Sequence, residues 1–345
     1  MDISEILTSE YFWLFSLTVL LIIVGAAKNA KSKLFWYLNL VLVLILLGWG
    51  LEIMTNRIDY KWYWNRVPQY FIFSGDVDQY SEEDGIARVQ QIDQVSSKVT
   101  LEYKSGQSET FTIKNKTLAI KDGQKVTDID MIGKQHVTQK GVLIEGLIVT
   151  LEISLYSSIT GLLIGLFAGF GRVSKNPLVL GLSTGYVELI RGTPLLVQIF
   201  IFYFFLGTIL GFGRMAAGTM ALAIFSGAYV AEIIRAGIQS IHPGQMEAAR
   251  SLGMNYAQAM IYIILPQAFK RTLPPLAGQF ISLIKDSSLV SVIAITDLTK
   301  AGREIIASTF AAFEIWFTVA GMYLILTFGL SLFVRYIERR FAVSD

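Results

Sequence analysis

Runs of apolar residues long enough to cross a bilayer constrain this chain more than any other feature. A hydrocarbon core of about 30 Å takes about 20 apolar residues as helix. Such runs lie at roughly 11–27, 34–51, 142–170, 178–207, 215–236, 275–295 and 313–336. Composition agrees: 53% of the 345 residues are hydrophobic and 16% are charged, against about 25% charge in an average soluble domain. An ordinary soluble enzyme and a disordered chain are both excluded. The flank of the first run holds Asp2, Glu5 and Glu10. An acidic flank with no small-residue cleavage site argues for a retained span, not a signal peptide. The expected fold class is therefore all-α transmembrane, with seven membrane helices.

Short-loop cations set the orientation, because Lys and Arg accumulate on the cytoplasmic side. They fall in four places: Lys28, Lys31 and Lys33; Arg172 and Lys175; Arg235, Arg250, Lys270 and Arg271; and Arg335, Arg339 and Arg340. Seven spans with the N-terminus outside and the C-terminus in the cytoplasm put all four on one side. The opposite loops carry only Arg214, and Lys300 and Arg303 beside Asp297 and Glu304.

The chain divides accordingly into two N-terminal helices (1–51), a polar extracytoplasmic segment (52–140) and a membrane core (141–340). The polar segment has a strand rhythm. Lys98 to Tyr103 alternates, Ser105-Gly106 turns, Glu109 to Ile113 alternates again, and Lys121 to Gln124 turns once more. Period-two alternation between turn residues predicts a small β-rich insertion. It is either a solvated cap or a docking surface for an external partner. The aromatic run Trp62, Tyr63, Trp64, Tyr70, Phe71 and Phe73 before it suits a membrane interface.

Several chemistries drop out. There are no cysteines and two histidines, His136 and His242. Thiolate nucleophiles and Cys-type zinc sites are excluded, and neither a His-based metal centre nor a Ser–His–Asp triad is expected. A formal charge of +2 offers no basic field for nucleic acid. No Gly-x4-Gly-Lys-Ser/Thr phosphate loop occurs. No catalytic residue, cofactor or metal is expected on this chain.

Charges inside spans point to transport. Each costs about 2.5–3.5 kcal/mol in a bilayer and usually faces a cavity or a partner. Glu188 and Arg191 lie at i and i+3, on one helix face. They either neutralise each other or line a path for a small solute. Gly192-Thr193-Pro194 follows, where the proline breaks the helix and frees backbone polar groups. An Arg, a Glu and free backbone groups suit a zwitterionic amino acid. Glu188, Arg191, Thr193 and Gln198 are therefore path candidates. Lys285 and Asp286 form a second mid-span pair, which either lines the same path or locks helices together. Gly161, Gly165 and Gly169 mark one face for close helix packing.

The stretch 240–266, between the fifth and sixth spans, is polar but patterned. It reads Gly244-Gln245-Met246-Glu247-Ala248-Ala249-Arg250-Ser251-Leu252-Gly253, then nine residues, then Ile263-Ile264-Leu265-Pro266. Two short helices with a corner at Gly253, the second ended by Pro266, would make a knob on the membrane surface. Small Ala248 and Ala249 would let that knob sit deep in a partner's groove.

This spacing (Glu-Ala-Ala, three residues, Gly, nine residues, Ile, one residue, Leu-Pro) resembles the cytoplasmic loop signature of ABC importer permeases. Thr150 to Ser154, Tyr186 to Gln198, Ala231 to Gly237 and Leu283 to Leu289 resemble its polar amino acid branch, the histidine and glutamine type importers. The likeness covers about 141–340, plus Trp64 to Tyr70 as a short outer lead-in. The first two helices and the β insertion depart from it. The resemblance implies a five-helix core in a bacterial plasma (inner) membrane. It implies that Glu247, Ala248, Ala249 and Gly253 couple to a separate ATPase subunit, which binds ATP and Mg. It implies a second permease copy, as homodimer or related heterodimer, and an extracytoplasmic amino-acid-binding protein. A self-contained secondary transporter of small polar solutes is the alternative. It would show internal repeats, and none is evident.

Overall fold

The computed structural model describes residues 58–341 and, before them, residues 18, 19, 41, 43, 45, 46, 48–50, 52, 55 and 56, with side chains as far as Tyr336. Residues 1–63 and 64–345 are separate compact units. The expected spans 11–27 and 34–51 lie largely outside the described residues; those described there are helical.

The second unit opens with a 3-10 turn, Trp64–Tyr70, and then six strands: β1 (Ile72–Tyr80), β2 (Gly85–Gln91), β3 (Ser96–Tyr103), β4 (Ser108–Lys114), β5 (Lys125–Val126) and β6 (Met131–Lys140). β1 and β6 pair into a two-stranded antiparallel ribbon. The other four form an antiparallel sheet in the order β4-β3-β2-β5. The alternation read from the sequence sets the inner face. Val99, Leu101 and Tyr103 of β3 are buried with Ala87, Ile113, Ile120, Val126 and Ile132, while Lys98 and Glu102 face out. Each large aliphatic buried there contributes about 1.5–3 kcal/mol.

A two-stranded ribbon is marginal alone, and polar rungs brace this one. Ser74 faces Thr138, Asp76 faces His136 and Asp78 faces Lys134. The Asp76 carboxylate accepts from Lys114 Nζ at 2.6 Å and lies 2.9 Å from His136 Nδ1. Lys114 and His136 together hold its pKa below the ordinary 3.8. A depressed acid stabilises a fold fully above its unfolded pKa and loses that contribution as pH falls through the folded value. Protection of the β1 and β6 amides, taken relative to intrinsic exchange at each pH, is therefore expected to fall as pH drops below 3.8. Hydrogen-exchange mass spectrometry should show that acid component in the wild type and not in Asp76→Asn. An equal acid response in both would refute the assignment.

β6 passes through Gly141 alone into α1 (Val142–Gly171). The helical core continues with α2 (Pro177–Arg191), α3 (Leu195–Phe202) and a π turn to Ile209, then α4 (Arg214–Gln239), α5 (Pro243–Ser251) and α6 (Tyr256–Ala259). A second π turn, Met260–Ile264, precedes α7 (Leu265–Asp286). A 3-10 stretch, Ser287–Ile293, then leads to α8 (Leu298–Thr309) and α9 (Ala312–Phe341). Among the described residues, four helical stretches are long and apolar enough to cross a membrane, and the bent pair α2–α3 makes a fifth.

α1 packs along α4. A Cβ on Gly161 would sit 2.9 Å from the Ala223 carbonyl, and one on Gly169 would sit 3.0 Å from that of Ala231. The four-residue glycine spacing thus serves backbone approach within the chain.

One expectation is met and one needs correction. The break expected at Gly192-Thr193-Pro194 is present: the span at 178–207 bends by 107° between α2 and α3. Pro194, which lacks an N–H and is extended at φ −64° and ψ 135°, makes the corner, and a proline also disfavours the α region for the residue before it. The helix expected to stop at Pro266 instead continues to Asp286 and on to Ile293. The wide π turn directly before Pro266 opens the preceding turn, so the ring does not clash with the carbonyl four residues back. The proline becomes an opening residue of α7.

Candidate functional site

Two places along α4 gather the chemistry: a cluster of charges where α1, α2 and α4 meet, and the loop beyond the end of α4.

The α2–α3 corner leaves carbonyls without helical donors. Gln198, on the first turn of α3, reaches back to them. Its Nε2 donates to the Ile190 carbonyl at 2.7 Å and to the Thr193 carbonyl at 3.1 Å. Thr193 Oγ1 donates to the Leu189 carbonyl at 3.0 Å. These bonds fix which end of the Gln198 amide is nitrogen. Its Oε1 is buried and has no hydrogen-bond partner among the described residues. An acceptor in need of a donor thus sits at the corner.

Glu188 and Arg191, one turn before the corner, engage different partners. Glu188 lies 3.5 Å from Arg172, at the end of α1. Arg191 lies 4.0 Å from Glu232 of α4 and stacks over Tyr229, its guanidinium 5.3 Å from the ring centre. Glu232 is the hub. Arg235 grips it with Nε at 2.9 Å and Nη2 at 2.5 Å, and Arg172 reaches it at 3.4 Å. Arg235 also holds Gln239. Three guanidiniums face the carboxylates of Glu188 and Glu232, so the cluster carries one net positive charge. Such a cluster attracts a carboxylate, and paired Arg groups bind one bidentately.

The sequence reading missed Glu232 and Arg172 as members of this cluster. The Glu232–Arg235 spacing of i and i+3 was visible; the Arg172 contact, from 60 residues away, left no local trace. Lys285 and Asp286 do not join it. They close α7 next to Leu283, which packs on Ala221 and Leu222. That is about 15 Å along α4 from Glu232 at 1.5 Å per residue.

A Ser–His–Asp alignment, not expected from the sequence, does occur on the ribbon. Ser74 Oγ lies 3.2 Å from His136 Nε2 and Asp76 on Nδ1. It stands on an exposed strand face with Lys114 on the carboxylate, where it serves as a polar rung.

The loop after α4 forms the expected corner. His242 accepts from the Gly244 N–H at the start of α5. Gly253 closes α5 at φ +86°, a left-handed turn that costs a residue with a Cβ about 1–2 kcal/mol. Asn255 and Gln258 make a reciprocal capping box on α6. Glu247, Ala248 and Leu252 are exposed, Leu252 to 82%. Ala249 is buried against its own chain. Ala248, not Ala249, is therefore the small residue on the outer surface of the knob. Behind it, Met246 packs on the cluster of Ile238, Ile241 and Ile264 that ends α4. Arg271 of α7 donates to the Ser240 carbonyl at 2.6 Å.

Comparison with known proteins places this architecture. Residues 161–343 match the family described as binding-protein-dependent transport system inner membrane component. The glutamine transport system permease protein GlnP of Escherichia coli K12 is 44% identical over 205 residues, covering 59% of this chain and 94% of that one. The probable glutamine ABC transporter permease protein GlnM of Bacillus subtilis 168 is 43% identical, covering 58% and 93%. A solved structure titled as an amino acid ABC transporter with histidines superposes with a TM-score of 0.55 at 45% identity, covering 58% of this chain and 94% of that chain. An inward-facing methionine transporter, MetNI, shares the fold at 20% identity and a TM-score of 0.52. With the family match spanning more than half of its length, and relatives covered almost end to end, this chain belongs to the binding-protein-dependent transport system inner membrane components.

Proposed function

We propose that this chain is the membrane permease subunit of an ATP-binding cassette importer that moves glutamine-type amino acids into the cytoplasm. The observation that carries the reading is the α5–Gly253–α6 knob, braced from behind by α4 and α7, with Glu247, Ala248 and Leu252 free on its surface. In this reading the knob faces the cytoplasm and seats in a separate ATPase subunit, where ATP and Mg bind. The C-terminus lies on the same side. Two further helices within 1–51 bring the spans to seven, with the N-terminus outside and the β insertion on the outer face of a bacterial plasma membrane. A soluble amino-acid-binding protein delivers the solute from that side, and a second permease completes the pathway.

The charged cluster supplies the recognition. Arg191 and its neighbouring guanidiniums suit an α-carboxylate. Glu188 and the unpartnered Gln198 Oε1 suit the ammonium. Thr193 holds the corner that presents them. Lys285 and Asp286, at the far end of α4, belong in this scheme to the outer part of the path. The cluster sits on the helix that runs into the knob, so a displacement of the knob would reach it along α4 without passing through a flexible joint.

Reconstitution with the ATPase and the binding protein tests the reading. Glutamine uptake into proteoliposomes is expected to require ATP hydrolysis. Ala248→Trp, which enlarges the knob surface without entering its own core, should lower ATP-driven uptake at least about tenfold, the equivalent of about 1.4 kcal/mol of lost coupling. Uptake driven by a proton or sodium gradient without the ATPase would overturn the proposal in favour of a secondary transporter.

A further inference from the structure

The joint between the β1–β6 ribbon and α1 carries a groove of about 590 Å³. It lies where polar strand gives way to the apolar span Val142–Gly171. Phe71, Ile72 and Ile144 form its apolar part, and Lys140 and Glu145 stand with them in its lining. The joint has a fixed shape. Ile72 pairs with Lys140 across the ribbon, and the Gly141 N–H donates to the Phe71 carbonyl at 2.8 Å. A Cβ on Gly141 would collide with the Tyr70 carbonyl, so strand and helix meet there backbone to backbone.

Two opposite charges border the groove without meeting each other. Lys140 closes β6 and Glu145 stands in the first turn of α1, both exposed. The ribbon's ion pairs use Asp76 and Asp78; neither Lys140 nor Glu145 has such a partner among the described residues. A charge at the bilayer surface with no partner in the protein is open to one from a lipid headgroup. The start of α1 reinforces the positive side. Its N-cap is Gly141, which supplies no side-chain cap, and an uncapped helix N-terminus favours an anion. Beyond the charges the apolar part runs on. Ile144, Ile148 and Leu151 share one side of α1 at the three- and four-residue spacing, with the last two 41% and 40% exposed.

We propose that this groove binds one phosphatidylethanolamine molecule. Its phosphate lies at Lys140 and the first turn of α1, its ammonium at Glu145, and an acyl chain along Ile144, Ile148 and Leu151. A free amino acid carries the same two charges but has no hydrocarbon to cover Phe71, Ile72 and the aliphatic side of α1. Phosphatidylglycerol lacks the ammonium, and the quaternary nitrogen of phosphatidylcholine has no N–H to donate to Glu145. A lipid held in this way touches the chain on both sides of Gly141 and ties the ribbon to the span. The inference needs only a bilayer around α1 and does not rest on the importer reading.

Native mass spectrometry of the full-length protein, released from nanodiscs holding equal amounts of the three phospholipids, tests it. Retained phosphatidylethanolamine is expected to exceed each of the others at least about fivefold, a margin that charge-assisted contacts supply. Glu145→Gln should abolish the preference over phosphatidylglycerol, and Lys140→Gln should weaken retention of all three. Both side chains are exposed, so neither variant should shift the thermal midpoint. Amides at the Ile72 and Lys140 end of the ribbon should exchange more slowly in phosphatidylethanolamine than in phosphatidylcholine nanodiscs, and the double variant should erase that difference. Equal retention of the three lipids, or a preference that survives both substitutions, would overturn the site. Displacement of the lipid by millimolar glutamine would overturn the choice of a lipid and make the groove a solute site. None of these outcomes bears on whether uptake requires ATP.

Discussion

Gly165→Leu is expected to prevent stable assembly of the helical core. A Cβ on Gly165 would press on the Val230 side chain and lie 2.8 Å from the Gly227 carbonyl. The second contact decides the outcome. A side chain can turn aside, but a helix carbonyl moves only with its helix. Overpacking in a tight core costs about 1–3 kcal/mol when side chains alone must yield, and separating two backbones should exceed the upper end. Native stability is only about 5–15 kcal/mol, so one such change removes a large share. The measurement is the thermal midpoint of the purified protein in detergent, read by intrinsic fluorescence or light scattering. Gly321→Leu, whose Cβ meets nothing within 4 Å, is the control and should leave the midpoint in place. Equal midpoints for the two variants would mean that α1 and α4 do not pack as described.

That glycine face shows what a sequence can disclose. Spacing along one helix is local information, and so are apolar run lengths and strand alternation. The run expected at 142–170 is α1, Val142–Gly171, and the rhythm around Ser105-Gly106 became β3 and β4. Whole-helix character survives because it sums over many residues. Single-residue rules fared less well where a neighbour changed their terms. Pro266 obeyed its chemistry, but the π turn in front of it removed the clash that would have ended the helix. Ala248 and Ala249 are equivalent as letters, yet adjacent helical positions point about 100° apart, and only the fold decides which one faces inward. Pairing across helices was the least legible. Glu188 and Arg191 share a face, so an intrahelical pair was a fair expectation. Arg172 and Glu232 outcompete it because α1 and α4 bring both to that level of the core. Lys285 and Asp286 lie within the apolar stretch Tyr256–Ile293, where the α-helix tightens into a 3-10 stretch.

Glu232→Ala should cost both fold and transport, and the two losses can be separated. Glu232 faces Arg172, Arg191 and Arg235. Removing it leaves three guanidiniums with Glu188 as the remaining carboxylate of the cluster. Glu188 touches only Arg172 there, and from an exposed position. Deleting one partner of a buried ion pair typically costs about 3–5 kcal/mol, because the remaining charge stays desolvated and unpaired. Glu232 retains a quarter of its side-chain exposure, so the lower end of that range applies. Glu232→Gln separates charge from shape. It keeps an acceptor for Arg235 and the volume of the side chain, and its stability loss should be about half that of Ala. Its effect on transport should not be halved. The lost carboxylate raises the net charge of the cluster by one unit and leaves Arg191 without its ion-pair partner, which would hold an anionic group at the cluster instead of releasing it. Glutamine uptake is therefore expected to fall at least about tenfold in Glu232→Gln. Binding-protein-stimulated ATP hydrolysis should stay within about twofold of the wild type, since the knob at Glu247 to Gly253 is untouched. A tenfold difference in a rate corresponds to about 1.4 kcal/mol, well inside what one displaced charge can supply at low dielectric. If uptake and hydrolysis fell together in Glu232→Gln, the cluster would act as a strut of the coupling machinery, not as a contact for the solute. If neither fell, Glu232 would be a packing residue, and the net charge of the cluster would have no bearing on passage.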